Sequence, residues 1–368
     1  VSGGLQAWIA RGKESPFELT EVELDTLQPN EVRVEVTATG VCHMDLEGKD
    51  IVPLPAVFGH EGVGRILEIG ADVTTVQPGD RVIMSYAACG HCGSCAADAP
   101  YHCEDSWDIT FSGLRADGSH TMREHDKPVS AAFFQQSSFA QEAITPARGL
   151  VPVDSNIDDT LLAALPCGVL TGAGVIACQF GFRGGEDLAV FGVGAVGLSA
   201  VMAAKRLGAR SILAVDVKPT RLALAEELGA THTINPAQEA DSVARIQELF
   251  PKGLPYVVDT SGNSTAFNSA TRILKTGGRM AVCILPQPME TFSFQPFEWF
   301  TRAATLEAVS FGNAEASSFL PQLIDWYDQG LFPVDRLVTV YPFSDLNVAV
   351  EAAMAGEAIK PVLDLRAS

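Results

Sequence analysis

The chain has 368 residues, 47% of them hydrophobic and 19% charged, with a formal net charge of −20 and a pI near 4.7. That length suits two domains with separate cores, and the acidic balance argues against nucleic acid or anionic membrane as partners. The opening VSGGLQAWIARGKESPFEL holds no apolar core of signal-peptide length, and no run of about 18 apolar residues follows, so a cytoplasmic protein is expected.

In chain order, EVRVEVTATG (31–40) alternates Val32, Val34 and Val36 with polar or charged residues, which predicts a strand buried on one face. Residues 63–84 predict two short strands around the turn Pro78-Gly79-Asp80. Four of the eight cysteines then crowd into Cys89-x2-Cys92-x2-Cys95-x7-Cys103. Four thiolates at these spacings close a tetrahedron around Zn²⁺ with no open position, a site that stiffens a loop. His91 and His102 inside the lobe are read as solvated. The stretch 111–139 has little periodicity and is read as a surface excursion.

From about Leu165 the pattern changes. Residues 187–216, DLAVFGVGAVGLSAVMAAKRLGARSILAVD, read as strand, glycine-rich turn, helix and strand. A helix (221–230), a strand (256–262), a helix (266–278) and a strand (279–285) follow, which implies a doubly wound parallel sheet. Beyond about Phe311 come a helix (319–330) and two strand-like segments (336–343 and 360–365).

Gly192, Gly194 and Gly197 form G-x-G-x-x-G between strand and helix. In that context Gly192 permits a tight turn, Gly194 lets the backbone approach a pyrophosphate, and Gly197 allows close helix packing. Asp216 ends the next strand, where a carboxylate accepts ribose hydroxyls of NAD and repels the 2′-phosphate of NADP. Arg221 lies near enough to complicate the choice; NAD is the expectation.

The remaining cysteines are scattered. Cys42, His60 and Glu61 of GHEG, and Cys167 are candidate ligands only as a set, since each alone reads equally as a core residue; Cys178 and Cys283 keep that core reading. With the cofactor turn, both cysteine sets and GHEG in this order, the chain resembles the zinc-dependent medium-chain alcohol dehydrogenases over essentially its full length. PLPAVFGHEGVG, the four-cysteine lobe, FSGLRADGS and FFQQSSFA are most similar to the aryl-alcohol (benzyl alcohol) branch. The resemblance implies a mainly β, GroES-like catalytic domain from 1–165 and 312–368, a Rossmann domain from 166–311, and an active site in the cleft. It implies two Zn²⁺ per chain, with Cys42, His60 and Cys167 holding the catalytic ion. Asp45 would orient His60, and Glu61 would stand behind the metal. His43 and Lys360 would lie by the cofactor pyrophosphate, with Thr171 and Val196 by the nicotinamide. Zinc would lower the pKa of an alcohol so that its carbon can give hydride to NAD⁺. A homodimer or homotetramer is implied as well, with RMAVCIL and FEWFTRAATLEAVSF as its surface.

Met44 departs from the family, whose members carry Ser or Thr there to pass a proton from the substrate oxygen, and Glu47 stands where a relay histidine is usual. Three readings follow. The chain is an alcohol dehydrogenase with another proton route, by zinc-bound water or by Glu47 through the ribose, acting on a primary alcohol or aldehyde of aromatic or allylic type. It is a reductase of iminium or conjugated C=C bonds. Or it binds cofactor without turnover. Tyr86, Trp107 and Ile284 are candidate pocket liners.

Overall fold

The computed structural model describes residues 4–284, 291–293 and 295–366. The chain divides into two compact units, Val1–Cys167 with Glu315–Asp325 and Val334–Ser368, and Gly168–Ala314 with Trp326–Pro333. The short stretch Trp326–Pro333 was expected with the catalytic unit but belongs to the second. The indole of Trp326 packs on Phe332 at 6.0 Å and lies under the Arg206 guanidinium at 5.6 Å.

The first unit is built on a seven-stranded sheet centred on the Glu31–Gly40 strand. That strand pairs antiparallel with Gly62–Ile69, Glu142–Pro146 and Lys360–Asp364. Its alternation does what the pattern predicts. Val32, Val34 and Val36 are buried among Ile66, Val82, Met84, Ala143 and Leu150, while Arg33 on the other face pairs with Glu68 and Glu142 at 3.3 and 3.7 Å. Each buried valine contributes about 1.5–3 kcal/mol over an exposed one.

The stretch 111–139 departs from the expected surface excursion. Met122–Glu124 and Lys127–Val129 form a hairpin turned by His125 and Asp126 in left-handed backbone. Residues Ala131–Ala140 then pass through the interior, with Phe133 and Phe139 fully buried. Three-residue strands are too short for periodicity to register, and the buried polar groups here disguised an interior segment as a surface one.

The second unit is a six-stranded, all-parallel sheet in the spatial order His232–Ile234, Ser211–Val215, Asp187–Phe191, Leu254–Asp259, Leu274–Val282, Thr305–Ala308. Numbered along the chain that order is 3-2-1-4-5-6, the doubly wound arrangement that binds dinucleotides where the order reverses. Its strands are apolar runs because helices cover both faces. The helix expected over 266–278 stops early. It spans Ser264–Arg272, and Leu274 already opens the next strand. RMAVCIL is an inner strand rather than an outer surface: Leu274–Val282 pairs on both sides, Met280 and Ala281 are buried, and Leu285 lies outside the described residues. The outer edge is Thr305–Ala308, clamped to its neighbour by the bidentate Arg279–Glu307 pair at 2.7 and 2.8 Å. Among the described residues no helix is long and apolar enough to cross a membrane.

Candidate active site

In the first unit, the helix His43–Glu47 begins directly after Cys42, and its third residue, Asp45, turns back into the protein. The Asp45 carboxylate is fully buried and accepts three hydrogen bonds, from the amides of Cys42 (2.8 Å) and Gly59 (3.0 Å) and from His60 Nδ1 (2.9 Å). An ionised carboxylate only accepts, so Nδ1 carries the proton of this bond and Nε2 of the neutral ring is the nitrogen left to offer a lone pair. Nε2 lies 3.2 Å from Cys167 Sγ, and the Cys42 and Cys167 sulfurs are 3.9 Å apart. Cys167 enters on the π-helical turn Leu165–Val169, a wide turn of the kind that recurs at functional sites.

Cys42, His60, Glu61 and Cys167 bring one ligand atom each within 4.8 Å of one another. Two thiolates bound about 2.3 Å from a tetrahedral zinc stand about 3.8 Å apart, so the donors fit that ion. The donors are also coupled to one another through charge. A hydrogen bond from Cys167 holds the Cys42 thiol well below its ordinary value, and the same bond raises Cys167. Burial works against charge on His60, but Asp45 and Cys42 outweigh it and hold the imidazole well above its usual value.

Glu61 is fully buried beside the other donors, and burial pushes its carboxyl up to about 7 despite the opposing Lys360 ammonium. Lys360, 2% exposed, is ion-paired with Glu61. Lys360 is thus paired with Glu61, which belongs to the set of candidate ligands. A Cβ on Gly40 would meet Glu61 Oε2 at 1.8 Å, so only glycine leaves room for the carboxylate. Neither Lys360 nor Gly40 carries a local spacing signal toward Glu61; the sheet pairing of Lys360–Asp364 with Glu31–Gly40 supplies it. His43 is exposed, and Met44 is half-buried one residue before Asp45. Glu47 is half-buried with its carboxyl raised by burial.

The lobe of Cys89, Cys92, Cys95 and Cys103 forms a second set of four sulfurs. Cys89 and Cys95 sulfurs are 3.9 Å apart, again the spacing of a tetrahedral site. Backbone amides of residues 89, 91, 92, 95 and 104 donate to these sulfurs at 3.2–3.5 Å, which favours thiolates. The Glu104 amide leads in lowering Cys92 to about 6, while burial raises Cys89, Cys95 and Cys103. The His91 side chain is 79% exposed with Nδ1 on the Cys89 carbonyl, and the His102 ring sits against Tyr101.

In the second unit, Gly192 has φ +77°, and the helix Ala195–Arg206 starts immediately after Gly194. A Cβ on Gly197 would meet the Gly192 carbonyl oxygen at 2.0 Å, so the helix can lie this close only without a side chain. The Asp216 carboxylate accepts from the amides of Val193 and Lys218, both at 2.8 Å, and Arg221 Nη1 stands 3.9 Å away. Thr171 lies in the helix Leu170–Gly174, which packs on the Val196 backbone so tightly that a Cβ on Gly172 would meet the Val196 carbonyl oxygen at 1.9 Å. The suggested pocket liners are unlike one another: Tyr86 is buried, Trp107 is 58% exposed against Phe111, and Ile284 is 38% exposed.

Residues 28–155 match the family described as alcohol dehydrogenase GroES-like domain, and 195–329 match zinc-binding dehydrogenase. The chain is 37% identical to a geraniol dehydrogenase of Castellaniella defragrans, over 97% of each chain. Among solved structures it is similar to an alcohol dehydrogenase zinc-binding domain protein from Burkholderia ambifaria, with TM-score 0.95, 39% identity and 98% of each chain covered. It is also similar to benzyl alcohol dehydrogenase from Acinetobacter calcoaceticus, with TM-score 0.94 and 37% identity, covering 98% of this chain and 99% of that one.

Proposed function

The chain belongs to the zinc-dependent medium-chain alcohol dehydrogenases and is an oxidoreductase, and from that premise we propose that it interconverts a primary alcohol and its aldehyde with NAD. The observation that carries this reading is the convergence of Cys42, His60 and Cys167 with Asp45 behind the imidazole. Aromatic and allylic alcohols are the proposed substrates, because benzyl alcohol and geraniol name two of its relatives.

Cys42, His60 and Cys167 would hold one zinc, the four-cysteine lobe another, and the Gly192–Gly197 turn the dinucleotide. Zinc supplies a Lewis acid for the substrate oxygen, and the nicotinamide exchanges the hydride. Asp45 fixes the His60 tautomer and its direction. Glu61 sits behind the ligands with Lys360 as counter-charge. Asp216 stands where a 2′-phosphate would be repelled, which favours NAD, and Asp216→Gly should erode the preference for NAD over NADP in kcat/KM. Cytoplasmic residence is part of the reading, since none of the eight cysteines is paired in a disulfide. So is assembly into a homodimer or homotetramer through the Thr305–Ala308 edge, beside which Phe297 and Phe300 are 77% and 83% exposed.

Met44 favours a second reading, reduction of an iminium or conjugated C=C bond, because a thioether cannot pass a proton to or from oxygen. The test is turnover of zinc-replete protein with benzyl alcohol and geraniol plus NAD⁺, set against enals plus NADH. Alcohol oxidation supports the main reading, with the proton leaving by another group such as Glu47; general acid–base help is worth about 10²- to 10⁴-fold. Saturation of enals without alcohol turnover supports the second. Met44→Thr should raise kcat only for the alcohol reaction, with Met44→Ala as the control for volume.

A further inference from the structure

His60 is held by more than its hydrogen bond. The ring of Phe134 lies flat against the imidazole, centroids 4.4 Å apart and planes 21° from parallel, while Phe133 meets it edge-on at 5.6 Å and 84°. The bond to Asp45 sets the direction of Nδ1 but tolerates a tilt of about 30° before it weakens. Such a tilt would swing Nε2 on the far side of the ring. A flat aromatic face blocks that motion.

The backbone beneath Phe134 is arranged to hold it there. Phe134, Gln135 and Ser137 all have left-handed backbone, with φ of 51°, 57° and 49°, and none is glycine. Strain of this kind persists only where the surroundings over-determine it, and it concentrates at functional sites. The surroundings do so here through buried polar side chains. Ser137 Oγ donates to the Val57 carbonyl at 2.7 Å and accepts from the Phe133 amide at 2.9 Å. Gln136 donates to the Ser85 carbonyl at 3.1 Å and accepts from the Gly62 amide at 3.1 Å. Ser138 and Thr39 hydroxyls share a bond of 2.7 Å. Gly62 follows Glu61 directly, so the loop is tied to the segment that carries His60. Phe111 backs Phe134 edge-on at 6.0 Å.

We propose that Phe134 is a positioning residue for the metal centre: its strained loop presses a flat ring onto His60 so that Nε2 stays aimed at zinc. The inference rests on the reading that His60 is a zinc ligand. Loss of a group that orients a metal-bound histidine costs about 10- to 100-fold in metal affinity.

The test measures zinc release from the full-length, zinc-loaded protein to a colorimetric chelator, together with the visible absorption of cobalt-substituted protein. Phe134→Leu should release one of two zinc ions at least about 10-fold faster, leave the other unchanged, and alter the cobalt bands. Phe134→Tyr, which keeps the flat face, should restore both. Phe17→Leu, which loosens a buried ring packed on Phe58 and Phe139 and away from Phe134 and His60, should match wild type. Wild-type release and spectrum in Phe134→Leu would overturn the proposal, as would equal effects of Phe134→Leu and Phe17→Leu. If Phe134→Leu does not fold, Phe134→Met takes its place with the same outcomes, since it keeps the bulk but has no flat face. His60→Ala separates this inference from its foundation. If that variant still binds two zinc ions, the ligand assignment fails. If it binds one while Phe134→Leu is normal, only the stack fails.

Discussion

The two candidate metal centres use similar donors and are assembled in opposite ways. The lobe joins Cys89 to Cys103 across a separation of 14 residues, whereas Cys42 and Cys167 meet across 125. In the lobe, backbone amides face the sulfurs and the surface lies close by; His91 there is 79% exposed. In the interior set, side chains do that work: Asp45 holds His60, and Lys360 answers Glu61, all nearly or fully buried. A site made from a local loop needs little beyond that loop, and four thiolates leave it closed. A site drawn from distant segments depends on the whole sheet.

The sharpest way to break this contrast is to remove one sulfur from each centre. Cys167→Ala should lower turnover by about 10³-fold or more, since the Lewis acid supplies several kcal/mol of transition-state stabilisation. Metal analysis should find the lobe zinc retained; loss of both ions would show that the centres are not independent. Asp45→Asn tests the supporting carboxylate. It should weaken the interior zinc by about 10- to 100-fold in a competition titration with a chelator, with turnover restored by added zinc. Unchanged affinity would mean that the Asp45–His60 bond is not what aims the ring. Cys95→Ser should cost stability before it costs chemistry. Thermal unfolding should fall by about 5 °C, with dinucleotide affinity preserved. If it abolishes turnover as fully as Cys167→Ala, the division into a stiffening and a reacting centre is wrong. The smallest effect belongs to His91→Ala, which should keep both zinc ions and change stability by no more than about 0.5 kcal/mol. A lost ion would make His91, which lies near Cys89 and Asp105, a ligand in competition with one of the thiolates.

The same contrast explains what could be read from residues alone. The lobe was legible because its ligands share one short segment, and the cofactor turn because three glycines, a helix start and Asp216 fall at fixed offsets. The interior set was not legible from spacing. Cys42, His60 and Cys167 became a set only through resemblance, since no local rule says which distant strands meet. The Lys360–Glu61 pair was not legible either, because it joins segments some three hundred residues apart. Phe134 was missed because an FFQQSSF segment with buried glutamine and serine side chains reads as polar loop. Each of those polar groups is satisfied by a backbone partner or another side chain inside the protein. The parallel sheet was readable as a class, but its edge was not. An apolar strand in second place looks like one at the rim until the pairing on both sides is known.

The placement of the Lys360–Asp364 strand between Glu31–Gly40 and Val338–Pro342 also sets an order of events during synthesis. A ribosome delivers the amino-terminal part first, and domains tend to fold as they emerge. All six strands of the second unit lie between Asp187 and Ala308, so that sheet can close while the central strand of the first still lacks a neighbour. The four-cysteine lobe can capture metal as soon as Cys103 has emerged. Glu61, in contrast, waits for a lysine made some three hundred residues later, and until then its carboxylate has no counter-charge in the interior. The nascent chain therefore carries one finished metal centre and one unfinished one through most of translation, with an open sheet edge beside the unfinished one.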